Sequence, residues 1–113
     1  MAYDVNGKLL EATETGYLVN HEEWSTEAGT VIALSEGLEL TQDHWDVIEY
    51  LRDAYCDHNG ELPNNRAILK AMHEKWPGRK VDNKTLFDLF PGNPSKQAGR
   101  IAGLPESLRK GGY

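Results

Sequence analysis

The apolar positions change rhythm once along the chain. Near the N-terminus they fall in short runs, 3–5 and 8–12, on either side of Asn6-Gly7. Asn-Gly supplies the positive backbone angles of a tight hairpin turn, so the pattern predicts a short antiparallel pair. A two-stranded ribbon is not stable alone and must lie on the helices downstream of it. Gly16-Tyr17-Leu18-Val19 offers a third extended piece. From Ser25 onward the spacing becomes helical. Ser25 is placed to cap a helix over 26–36, with Ala28, Val31 and Ile32 on one face and Gly37 as its stop. Thr41 is placed to cap the strongest helix, 42–58. There Trp45, Ile48, Leu51 and Tyr55 form a stripe widened by Val47 and Ala54. The opposite face carries Asp43, Asp46, Glu49, Arg52, Asp53 and Asp57 and reads as solvated. Asn59-Gly60 ends this helix.

Pro63 opens a second series. A helix over 64–76 presents Ile68, Leu69, Met72 and Trp76 and is broken by Pro77-Gly78. After a basic turn, Arg79-Lys80, a helix over 82–90 presents Leu86, Phe87 and Phe90, and Pro91-Gly92 breaks it. Asn93 is placed to cap a last helix, Ser95 to Ala102, with Pro94 at its first position and Gly103 as its stop. The run after Pro105 has little to bury and adjacent glycines at 111 and 112, which predicts a mobile end. The fold class is therefore α+β and mainly helical. A hairpin or small sheet (1–20) packs on a helical body (25–103) with a helix-turn-helix-like pair and a flexible C-terminal arm (104–113). All 113 residues are expected to form one domain.

Charge sharpens this picture. The net charge is −6, but residues 1–62 hold two basic and fourteen acidic side chains, while 63–113 hold ten basic and four acidic. The simplest reading is that the halves attract each other within one fold; the alternative is steering of a charged partner. No stretch approaches the ~18–20 apolar residues of a membrane span, and the start is neither basic nor followed by an apolar block. A cytoplasmic protein without a membrane partner is expected. One cysteine, Cys56, excludes an internal disulfide and a cysteine-rich zinc site.

Candidate chemistry is sparse. His21, His44, His58 and His73 do not pair at the spacing of a helical metal site and read as surface residues on polar faces. No metal and no cofactor is expected. Cys56 lies near the C-terminal end of an acidic helix, beside Asp57 and three residues after Asp53. Neighbouring negative charge favours the thiol over the thiolate, so its reading is a small helix residue without redox chemistry. Lys70, Lys75, Arg79, Lys80 and Lys84 on the 64–90 helix pair could contact DNA phosphates. The loop from Pro77 to Val81 is long for a tight DNA-reading turn.

The run Leu89 to Pro105, LFPGNPSKQAGRIAGLP, resembles the signature of the DsrC/TusE sulfur-relay family, which includes the gamma subunit of dissimilatory sulfite reductase. Gly16-Tyr17-Leu18, Trp24, Glu36-Gly37, His44-Trp45 and Leu51-Arg52-Asp53 stand in the order and approximate spacing of that family, so the resemblance covers nearly the whole chain. It implies sulfur carriage by a penultimate cysteine on a swinging arm. A second cysteine stands just before the Ile-Ala-Gly-Leu-Pro block in DsrC proper. This chain has Gly112 and Gly99 at those places, and a tail longer by a couple of residues. The resemblance therefore implies a non-enzymatic, regulatory or binding member that meets a sulfur-relay or sulfite-reductase-type partner. Lys96, Arg100, Arg109, Lys110 and Tyr113 would make the contact, on the arm and its base. Two alternatives stay open: a DNA-binding regulator using the 64–90 pair, and a sulfur carrier through Cys56.

Overall fold

The computed structural model describes residues 2–57 and 63–105, with the backbone alone at Cys56 and Asp57. The elements, in order, are β1 (Ala2–Val5), β2 (Lys8–Glu11), a 3-10 turn (His21–Glu23), α1 (Thr26–Ser35), α2 (Gln42–Asp57), α3 (Asn65–Lys75), α4 (Asn83–Leu89) and α5 (Pro94–Ile101). Every expected helix is present, and each described end lies within about a residue of its expected place; the expected end of α2 at 58 and its Asn59-Gly60 stop lie outside the described residues.

β1 and β2 pair antiparallel, with Tyr3 opposite Leu10 and Val5 opposite Lys8. Asn6 and Gly7 turn the hairpin at φ 54° and 88°, and the Asp4 carboxylate accepts the Gly7 N–H at 2.9 Å. Tyr3, Val5 and Leu10 face inward, with β1 lying against α1, while Leu9 points out at 69% exposure. The third extended piece shrinks to one bridge, Ala12 to Leu18, supported by the Val19 N–H on the Glu11 carbonyl.

The core is built where α1, α2 and α5 meet. Ile32 and Ala33 of α1, Val47, Ile48 and Leu51 of α2, and Ala98 and Ile101 of α5 are essentially excluded from solvent. α3 and α4 close one side through Ile68, Met72, Leu86 and Phe90. Side-chain caps begin four elements: Asn20 the 3-10 turn, Ser25 α1, Asn64 α3, and Asp82 α4, the last in a reciprocal capping box with Thr85.

Three local expectations are corrected. Asn93 precedes α5 but makes no side-chain cap; it sits at φ 86°. The Ser95 N–H instead meets the Asn65 side-chain oxygen at 2.8 Å, so α3 caps α5 across the fold. His44 is buried rather than superficial. Its Nδ1 accepts the Thr41 N–H at 3.0 Å and its Nε2 lies 2.8 Å from the Leu89 carbonyl, so a proton on Nε2 satisfies both contacts. Finally, the polar face of α2 is only partly solvated. Asp46 accepts the Trp76 indole N–H at 2.8 Å, Asp43 holds Arg79 through two contacts of 3.2 and 2.8 Å, and Arg52 turns toward α5.

Candidate functional site: the end of α5

The described residues end shortly after α5, at Pro105, and the geometry there is closely determined. A helix ends with four carbonyls lacking helical partners. In α5 these belong to Gly99, Arg100, Ile101 and Ala102, and all four are satisfied. Leu104 donates to Gly99 at 3.0 Å and Gly103 to Arg100 at 3.1 Å, the two bonds of a Schellman turn. The other two donors come from distant elements. The Trp24 indole N–H reaches the Ile101 carbonyl at 2.7 Å, and the Arg52 guanidinium reaches the Ala102 carbonyl at 2.5 Å. The same guanidinium stacks over the Trp24 ring, 4.1 Å from its centroid. The loop before α1 and the middle of α2 thus hold the end of α5 together.

Glycine is required at 103 for two reasons. The backbone is at φ +73°, and a Cβ would lie 2.3 Å from Trp24 Cδ1 and 2.6 Å from Cγ. Leu104 is then drawn back into the core at 2% exposure.

A polar cluster flanks the same helix. Arg100 donates to Glu36 at 2.7 Å and lies over the Tyr17 ring, 5.2 Å from its centroid. Glu36 also accepts from the Gln97 amide at 3.0 Å, and Gln97 takes the Gly92 N–H at 2.8 Å. Burial works against the charge on Arg100. The Glu36 carboxylate, with a smaller contribution from Tyr17, more than offsets this through charge and hydrogen bond, and the Arg100 pKa lies above the ordinary arginine value. Gly16 allows this arrangement, since a Cβ there would press on Arg100 Cδ at 3.2 Å and the Tyr3 hydroxyl at 2.9 Å. Arg100 therefore sits in the wall of the body, while Lys96, one turn away, is half-buried.

Gly99 behaves differently. It is buried, yet a Cβ built on it meets nothing within 4 Å. The helix could carry a side chain at this place without displacing a described neighbour. Arg109, Lys110, Gly112 and Tyr113 lie outside the described residues, as do His58 and the Cys56 side chain.

The basic residues of the helix pair are dispersed in their engagements. Arg79 is held by Asp43 and stacks on Trp76, and Lys84 pairs with Asp88 at 3.1 Å. Lys70, Lys75 and Lys80 are exposed. Two of the five candidate phosphate contacts are thus already matched to carboxylates of the same body. Among the described residues, no three His, Cys, Asp or Glu side chains form a group that could hold a metal ion. No helix among them is long and apolar enough to cross a membrane.

Trp24 and Arg52 were not legible as anchors of α5. They lie 77 and 50 residues from the carbonyls they meet, and Arg52 falls on the stripe that periodicity assigns to solvent. The only sequence signal was their place among the residues that carry the family resemblance.

Comparison with known proteins agrees with that resemblance. The family model described as "DsrC like protein" matches residues 4–109. Sulfurtransferase TusE of Escherichia coli (strain K12) is 40% identical over 103 residues, covering 91% of this chain and 94% of that protein. The crystal structure of the oxidized gamma-subunit of the dissimilatory sulfite reductase (DsrC) from Archaeoglobus fulgidus superposes with a TM-score of 0.89 at 33% identity, covering 96% of this chain and 98% of that one. The NMR structure of Allochromatium vinosum DsrC gives a TM-score of 0.85 at 40% identity, with the same coverage. With the family model spanning residues 4–109 and the whole fold shared with DsrC structures at 33–40% identity, the chain belongs to the DsrC-like family of sulfur-relay proteins.

Proposed function

We propose that this member binds a sulfur-relay or sulfite-reductase-type protein and regulates it, or occupies its site, without carrying sulfur. The observation that supports this most is chemical. Sulfur relay passes a sulfane atom when an acceptor thiolate attacks the outer sulfur of a donor persulfide. A new S–S bond forms on the acceptor, and the donor leaves as a thiolate. The acceptor must therefore own a thiol that can reach the donor. Residues 94–113 contain none; Gly99 and Gly112 stand where the family resemblance implies cysteines. The single thiol, Cys56, belongs to α2, on the body. The overall fold is nevertheless shared with the DsrC structures, and in this chain the end of α5 is fixed by a Schellman turn, Trp24 and Arg52.

Docking through the segment after Pro105 would use Arg109, Lys110 and Tyr113, with Lys96 beside its base. Arg100 contributes by fixing the helix rather than as an open charge, because Glu36 already holds it. The test is direct binding of the full chain, and of a chain ending at Pro105, to relay and sulfite-reductase-type proteins of the same organism. Full-length binding that weakens at least tenfold on truncation supports the reading. Equal binding by both forms, or none by either, overturns it.

A further inference from the structure

We propose that the outer face of the N-terminal hairpin docks a protein surface with an apolar centre and a rim of lysine or arginine. Residues directly opposite across a strand pair share a face, and successive residues alternate between faces. Tyr3, Val5, Leu10 and Ala12 are buried on the inner side. The outer face is therefore Ala2 opposite Glu11 and Asp4 opposite Leu9, all four exposed. Val19 extends it. Its N–H bonds the Glu11 carbonyl at 2.9 Å, and it is 57% exposed, whereas its neighbour Leu18, bridged to Ala12, is buried.

A single exposed leucine is ordinary. Here two of the four large apolar side chains exposed among the described residues, Leu9 and Val19, stand on one small face. The carboxylates of that face, Asp4 and Glu11, have no ion-pair partner among the described residues. Lys8 is the only Lys or Arg in residues 1–51. It stands in phase with the inward Leu10 and pairs with Glu23 at 3.5 Å, so it does not neutralise the outer face. The face is thus apolar and anionic at once.

Charge decides what covers it. Nucleic acid or an anionic membrane would set phosphates against Asp4 and Glu11. A second copy meeting this face with its own would bring like carboxylates together. A protein with a basic rim answers both features: burial of Leu9 and Val19 supplies non-directional attraction, and the rim pairs supply orientation and a faster encounter. The surface lies on the side of the hairpin away from the core and does not involve the segment after Pro105. It stands independently of the reading given to α5.

The test is an amide-resolved NMR titration of the full chain with a short peptide alternating lysine and leucine. Two control peptides are used, one alternating glutamate and leucine and one of lysine alone. The lysine–leucine peptide should saturate, with its shifts centred on 2–5, 8–11 and 18–20. Leu9→Thr with Val19→Thr removes the apolar surface and keeps the strand preference. It should weaken binding about five- to tenfold, the loss given by truncating a central interface contact. Asp4→Asn with Glu11→Gln should weaken it comparably; Asn at 4 retains the oxygen that accepts the Gly7 N–H. Neutralising the same number of exposed carboxylates elsewhere, by Glu39→Gln with Asp53→Asn, should leave it within about twofold of native. If the threonine pair unfolds, Leu9→Thr alone decides. Equal loss from the remote pair, equal binding of either control peptide, or shifts spread over the whole acidic surface overturns the proposal. A dimer in sedimentation that Leu9→Thr dissociates assigns the face to a second copy and overturns it as well.

Discussion

Gly103→Ala should be far more damaging than Gly37→Ala, although the two glycines share one backbone geometry. Both follow the last residue of a helix in a Schellman turn. Gly37 bonds to Leu34 and Leu38 to Ala33 at the end of α1, as Gly103 and Leu104 do at the end of α5. Their φ angles are +74° and +73°. A left-handed alanine costs about 1–2 kcal/mol relative to its usual conformation, and this part is common to both. The difference is what the new methyl meets. At Gly37 it meets nothing within 4 Å; at Gly103 it meets Trp24 Cδ1 at 2.3 Å and Cβ at 2.8 Å. Carbon atoms rest about 3.5–4.0 Å apart, so the indole must move by more than an ångström. Moving it removes the bond to Ile101, worth about 1 kcal/mol, and leaves that carbonyl unpaired, with a further penalty of about 1–3 kcal/mol. Gly103→Ala should therefore lose about 2–4 kcal/mol more than Gly37→Ala. At about 4 °C per kcal/mol for a chain of this size, the gap in Tm is about 8–16 °C. Urea unfolding followed by far-ultraviolet circular dichroism measures both variants without relying on Trp24 fluorescence. Adding Trp24→Ala should reduce the cost of Gly103→Ala to that of Gly37→Ala. Equal costs at the two glycines would refute the reasoning.

Other outcomes rest on single contacts. Gly99→Ala should be tolerated and raise stability by about 0.5–1 kcal/mol in a thermal melt, because the helix interior there has room and glycine is a poor helix former. His44→Leu should cost about 2–3 kcal/mol in denaturant unfolding, since the Thr41 N–H and the Leu89 carbonyl would both lose a partner. The Arg79 guanidinium, chiefly by hydrogen bonding, holds the Asp43 carboxyl below its ordinary pKa. A depressed carboxylate stabilises the fold above its unfolded pKa of about 3.9 and loses that contribution as pH falls through the folded value. The stability gap between the native chain and Asp43→Asn should therefore be present at neutral pH and close progressively below about pH 4, as equilibrium unfolding across pH would show. Its size should be small, since both side chains are substantially exposed.

The order and ends of the elements were legible because they rest on local chemistry. Asn6-Gly7 can turn a hairpin, Ser25 and Asp82 can meet the first N–H groups of a helix, and Gly37 and Gly103 can adopt positive φ. Each of these works through neighbours in sequence. What stayed hidden are the contacts that depend on which elements meet. Asn93 is a fitting cap by residue type, but Asn65 is the one whose oxygen faces the first turn of α5. Periodicity places Arg52 and His44 among polar positions, yet the packing of α2 against α5 and α4 brings each to a carbonyl that needs a donor. The basic second half suggests a nucleic-acid surface until Asp43 and Asp88 are seen to match two of its charges. The candidate site was legible only through its resemblance to a known signature; its construction required the fold.

The most direct test is intact-mass analysis of the purified chain after exposure to a persulfide-charged relay protein, with a Gly99→Cys/Gly112→Cys variant treated in parallel. The native chain should return at its own mass, and the variant should gain sulfur. Sulfur bound to the native chain and then released to an acceptor, with the uptake abolished in Cys56→Ser, would contradict the account.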